Sequence, residues 1–138
     1  MELRTAENAQ HRRPPGENTP TVTILFGGEE GGPDVGLVRV SVPAGAGMPA
    51  HRHGGSDVIL TPVAGRVTIS DGTASVDVGV GSSALVRKDE EVSLSNPGDE
   101  PAELATTEQD NRPPDHDAGA VEAGVLRFGE FRTKAGRR

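Results

Sequence analysis

Cysteine, tryptophan and tyrosine are absent from this chain of 138 residues, and its only aromatic side chains are Phe26, Phe128 and Phe131. Without thiols neither disulfides nor thiolate chemistry is available, and a reducing, cytoplasmic setting is expected. Without Trp or Tyr there is no stacking platform for bases or sugars, which argues against nucleic-acid and glycan ligands. No apolar run approaches the ~20 residues that span a bilayer, and the first residues lack the apolar stretch of a signal peptide. No membrane partner is expected. Amphipathic helical windows of useful length are missing too. The glycine-rich run Gly27-Gly28-Glu29-Glu30-Gly31-Gly32 lacks the G-x-G-x-x-G spacing and following helix that cradle phosphates, so no nucleotide or flavin is expected.

Charge is unevenly spread. The net charge is −7, yet residues 19–126 carry 17 acidic and 6 basic side chains, a balance of −11. Residues 127–138 carry 5 basic and 1 acidic, a balance of +4. An acidic body repels a phosphate backbone, which again excludes nucleic acid as the main partner.

What the chain has in abundance is short β-branched segments between turn residues. Thr21–Phe26, Val35–Val42, Val58–Val63, Arg66–Ser70, Ala74–Val80, Ser83–Arg87, Glu91–Ser95 and Ala102–Thr106 all read as strands. Val38, Val40 and Val42 share one face by the period of two, as do Val76, Val78 and Val80. Asp71-Gly72 is a strong hairpin signal, and Ala64-Gly65 marks a second turn. The pattern predicts an all-β protein, a single antiparallel barrel or jelly roll. One domain accounts for the length: a flexible arm at 1–18, the β domain at 19–131 and a basic tail at 132–138. A breaker-rich loop at 108–119 holds His116. The apolar segment Val121–Phe131 after it resumes the strand pattern, and an edge strand so apolar favours a homodimer.

The chemistry concentrates in Gly45-Ala46-Gly47-Met48-Pro49-Ala50-His51-Arg52-His53-Gly54-Gly55-Ser56-Asp57. His51 and His53, two apart on an extended segment, point to one face. Asp57 follows a Gly-Gly turn. Two imidazoles and a carboxylate from adjacent strands would give a metal ion a two-histidine, one-carboxylate face. A solvated histidine-rich loop has the same composition, and spacing alone leaves both open.

Glycine, five residues, His-x-His, three residues and an acid resembles the first motif of the cupin superfamily, and the similarity runs from about Thr21 to Thr107. The resemblance implies a small β-barrel with His51, His53 and Asp57 as metal ligands for Fe, Zn, Ni or Mn. In the family six residues separate the acid from a glycine. Here seven separate Asp57 from Gly65, so a bulge is expected near Pro62. A second motif, Gly, five residues, Pro-x-Gly, two residues, His, three residues, Asn, matches less well. Counted from Gly81, Arg87 stands for the proline, Asp89 for the glycine and Val92 for the third metal histidine. Only Asn96 remains.

Strand parity, carried across the Gly54-Gly55 turn, places Asp57, Ile59 and Thr61 inside the barrel, and the family register adds Val92, Leu94 and Asn96. Such a mostly aliphatic cavity with one polar corner suits a small molecule. Three readings follow. A metal enzyme would polarise a carbonyl or activate oxygen through the ion. A metal-free cyclase, isomerase or dehydratase of biosynthesis would use His51 or His53 as acid and base on a small carbonyl or polyketide-like compound. A non-catalytic barrel would bind a ligand or partner after losing the site.

Overall fold

The computed structural model describes residues 1–109, all of them in strands, turns and connecting segments save one 3-10 turn at Ala6–Asn8. Ten strands follow in order: β1 (Gln10–Arg12), β2 (Thr21–Phe26), β3 (Val35–Val42), β4 (Gly47–His51), β5 (Val58–Ala64), β6 (Arg66–Ser70), β7 (Ser75–Gly79), β8 (Ala84–Val86), β9 (Val92–Ser95) and β10 (Ala102–Gln109). They build two antiparallel sheets, one of six strands in the order β1-β2-β3-β10-β5-β8 and one of four in the order β4-β9-β6-β7. This is the expected all-β jelly roll. Residues 110–119 of the expected loop with His116, the segment Val121–Phe131 and the tail 132–138 lie outside the described residues.

The core fills the space between the sheets. Val38, Val40 and Val42 of β3 and Ala102 and Leu104 of β10 meet Val67, Ile69, Val92 and Leu94 of the opposite sheet. Each such Val or Leu contributes on the order of 1.5–3 kcal/mol by leaving water. One expected face is not continuous. Val78 is buried, but Val76 and Val80 are exposed, because β7 is the edge of its sheet and ends at Gly79. The N-terminal residues, expected as an arm, include β1, which pairs with β2 at an edge of the six-stranded sheet. Arg4 ties that segment down further, its guanidinium 4.4 Å over the Phe26 ring and 2.8 Å from Glu29.

Two local devices fix the end of the sandwich that concerns function. Asn96, buried after β9, donates Nδ2–H to the carbonyls of Val42, Pro43 and Glu100 at 3.0, 3.3 and 2.7 Å. Its Oδ1 accepts the Gly98 N–H, and its backbone exchanges bonds with Gly45 and Ala46. One side chain thus joins the β3–β4 turn to the β9–β10 turn. The second device is the bulge. Leu104 faces Pro62 and Glu103 faces Ala64, which leaves Val63 as the extra residue of β5, next to Pro62.

Candidate functional site

The histidines sit where β4 ends. His51 is the Cα partner of Val92 on β9, whose side chain is buried, so His51 faces the interior. His53 has the same parity, and the two rings meet edge to face with centroids 4.8 Å apart. The Nδ1 of His51 lies 2.8 Å from the carbonyl oxygen of Pro49. A carbonyl can only accept, so Nδ1 carries the proton and Nε2 keeps its lone pair. The Nδ1 of His53 is buried and has no hydrogen-bond partner.

Burial decides the charge of both rings. It pushes the His51 pKa below the ordinary value, with the Pro49 hydrogen bond pulling the other way. Burial, joined by the neighbouring His51, pushes His53 down to about 3. At neutral pH the pair is uncharged.

Asp57 goes elsewhere. Its Oδ1 accepts the backbone N–H of Lys88 at 2.9 Å, while the Asp89 N–H binds the Gly54 carbonyl at 2.8 Å. These bonds fasten the β8–β9 turn to the Gly54-Gly55 turn. Parity is the physical reason. On β5 the inward side chains are Val58, Leu60 and Pro62, whereas Ile59 is 44% exposed. Asp57, expected inward with Ile59 and Thr61, belongs to the opposite register. The bulge at Val63 lies downstream and cannot bring it back.

Among the described residues no three His, Cys, Asp or Glu side chains are grouped so as to hold a metal ion. The expected face of His51, His53 and Asp57 is not assembled among the described residues. Arg39 lies on the outer face, 3.8 Å from Glu103.

Three residues escaped the sequence reading. Ser56 and Thr106 are buried with their hydroxyl oxygens unpartnered, and Glu108 is 5% exposed on the inner face of β10. The signal was present in the alternation Ala102, Leu104, Thr106, Glu108, all buried. Thr106 and Glu108 are polar, so no apolar alternation marks the inner face at that end of the strand.

Residues 38–108 match the Cupin_2 family model, described as a cupin domain. The chain belongs to the cupin family. No curated protein sequence matches it. Its fold is similar to that of a predicted oxalate decarboxylase from Thermotoga maritima, with a TM-score of 0.67, 18% identity and coverage of 78% of this chain and 98% of that one. The polyketide cyclase RemF from Streptomyces resistomycificus gives a TM-score of 0.66 at 17% identity, covering 83% of this chain and 82% of its own. The Cnp3 cupin domain of Schizosaccharomyces pombe gives 0.62 at 18%, covering 90% and 81%. At such identities these likenesses speak for the cupin fold alone.

Within that fold the motif can be recounted. Six residues back from Gly65, the cupin spacing from acid to glycine, is Val58, which is inward and 0% exposed. The spacing to Gly65 thus aligns Val58 with the cupin acid, the spacing from His53 aligns Asp57, and the count from Gly81 aligns Val92 with the third histidine.

Proposed function

We propose that this cupin binds a small carbonyl or polyketide-like metabolite between its sheets and transforms it by metal-independent acid–base catalysis, as a cyclase, isomerase or dehydratase. The observation that carries the reading is the 2.8 Å approach of His51 Nδ1 to the Pro49 carbonyl. That Nδ1–H is committed to Pro49, so Nε2 is presented as a proton acceptor. Removal of a proton α to a carbonyl puts charge on the ring, and the Pro49 carbonyl favours that charged form. His53, neutral beside it, is suited to hydrogen-bond the substrate oxygen. Val58 and Val92 keep water away from the reacting carbon. The polyketide cyclase with a similar fold supports the substrate class by analogy.

The test is α-proton exchange in D2O on 4-hydroxybutan-2-one, followed by NMR with and without a chelator. Exchange above the buffer rate, unaffected by chelator and lost in His51→Gln, is the expected result. Exchange that the chelator abolishes would point to a metal enzyme. No exchange at all would favour the second reading, a ligand-binding cupin without catalysis, which the valine aligned with the third histidine also supports.

A further inference from the structure

The inner face of the sandwich changes character along β5 and β10. Leu104 faces Pro62, Thr106 faces Leu60, and Glu108 faces Val58. Two residues before β5 stands Ser56, preceded in sequence by the Gly-Gly turn and His53. The half occupied by Val42, Ala102 and Leu104 is apolar apart from Asn96, whose side-chain atoms are hydrogen-bonded within the protein. The other half gathers Ser56, Thr106 and Glu108 at the end where His51 and His53 leave β4. Here a carboxylate stands one strand away from Val58, on its Cα partner.

Three buried polar atoms at this end, His53 Nδ1, Ser56 Oγ and Thr106 Oγ1, have no partner in the protein. A buried hydroxyl or ring nitrogen left unpaired costs on the order of 1–3 kcal/mol, so such atoms collect where water or a ligand completes them. Their chemistry is selective. Glu108 offers acceptor oxygens, Ser56 and Thr106 offer both donors and acceptors, and Val58, Leu60 and Val92 offer apolar contact. Arg39 lies on the outer face, and Arg52 has the parity opposite to His51 and His53, so neither offers an anion a charge partner there.

We propose that Ser56, Thr106 and Glu108 form a second polar pole of the interior, facing the histidine pair, that receives hydroxyl groups of a neutral, flat ligand of phenol or enol type. Glu108 accepts a ligand O–H, Thr106 and Ser56 bind its neighbouring oxygens, and the ring packs on Val58 and Val92. This rests on the reading that the interior takes a small molecule, but not on catalysis there. It assigns a carboxylate to the site that the cupin motifs do not contain.

Phloroglucinol is a suitable probe, with 1,3,5-trimethoxybenzene as a ring of the same symmetry lacking O–H donors. Binding is followed by amide chemical shifts and calorimetry on the full chain. Phloroglucinol should bind and shift the amides of Ser56, Thr106 and Glu108, while the trimethoxy ring binds at least tenfold more weakly. Glu108→Gln should weaken phloroglucinol at least tenfold and Thr106→Val about threefold or more, each with a melting curve to show a folded protein. Thr106→Val, nearly isosteric, decides the matter if Glu108→Gln does not fold. Phloroglucinol affinity is measured without turnover, so it can be present where proton exchange is absent. Failure of catalysis and failure of this pole are therefore separate results. Equal binding of the two rings, no binding at millimolar phloroglucinol, or undiminished binding in folded variants would overturn the proposal.

Discussion

Asp57 Oδ1 and the Lys88 backbone N–H are 2.9 Å apart, and that bond fastens the carboxylate outside the histidine site. A carboxylate accepting a backbone N–H at the mouth of β5 orders two turns at once. It does so from the opposite parity to Val58.

Metal affinity should follow that geometry. Asp57→Asn keeps an acceptor oxygen for Lys88, so zinc affinity by calorimetry should stay within about twofold of wild type. Val58→Glu combined with Val92→His should raise it at least 100-fold, since it adds a carboxylate and an imidazole where His51 and His53 already face inward. Without zinc, each polar group introduced into the apolar wall should destabilise the fold by about 1–3 kcal/mol. A large loss of zinc binding in Asp57→Asn would show that the carboxylate does reach the histidines.

Acid should weaken the protein through the same rings. The unfolded imidazole titrates near ~6.5, whereas folded His53 is pushed down to about 3. As pH falls, the unfolded chain takes up the proton first. Stability from neutral His53 is therefore whole above about 6.5 and lost progressively down to about 3, with a slope of at most ~1.4 kcal/mol per pH unit. His51, shifted the same way, adds to it. Urea melts between pH 7 and 4 should show this slope, and His53→Gln should flatten it. An equal slope in that variant would place the titration elsewhere.

Asn96 carries a different expectation, because it is structural. Replacing it by Ala removes two N–H donors shared among three carbonyls and one accepted bond at a buried position, which should cost about 3–4 kcal/mol. Asn96→Asp should fare no better, since a carboxyl oxygen would face three carbonyls. Denaturant unfolding measures both. A loss under 1 kcal/mol in Asn96→Ala would mean that water replaces the side chain without penalty.

Most of the fold was legible because alternation and turn chemistry agree along the chain. Thr21–Phe26, Val35–Val42 and Arg66–Ser70 are the strands that their β-branched residues predict. The retained Asn96 was legible as a motif residue, and its hydrogen bonds now explain the retention. The carboxylate was not legible. The number of residues in the Gly54-Gly55 turn sets which of Asp57 and Val58 faces inward, and one residue reverses the answer. Glu108 was missed for a related reason, since polarity alone does not reveal which face of a strand's last residues is buried. The N-terminal strand β1 was invisible because Gln10, His11 and Arg12 carry no apolar alternation, and its order comes from pairing with β2.

Gly65 offers the sharpest test of the register on which these arguments rest. It has φ +70, and a Cβ there would lie 2.7 Å from the Pro101 carbonyl oxygen and 2.9 Å from the Ala102 Cα. Backbone cannot swing aside as a flexible side chain can. Gly72, at the β6–β7 hairpin, has φ +91 but open space around it. Alanine at Gly72 therefore reports the cost of a left-handed backbone alone, about 1 kcal/mol. Alanine at Gly65 adds a clash with β10 and should cost about 2–4 kcal/mol in all. The displacement would reach the pairs Pro62–Leu104 and Leu60–Thr106, and through them Val58 and Glu108. Amide shifts in the folded fraction of Gly65→Ala should thus extend along β5 and β10, whereas those of Gly72→Ala stay within the hairpin. Equal destabilisation by the two substitutions would mean that the β5–β6 turn does not press on β10, and the inward placement of Val58 would lose its anchor.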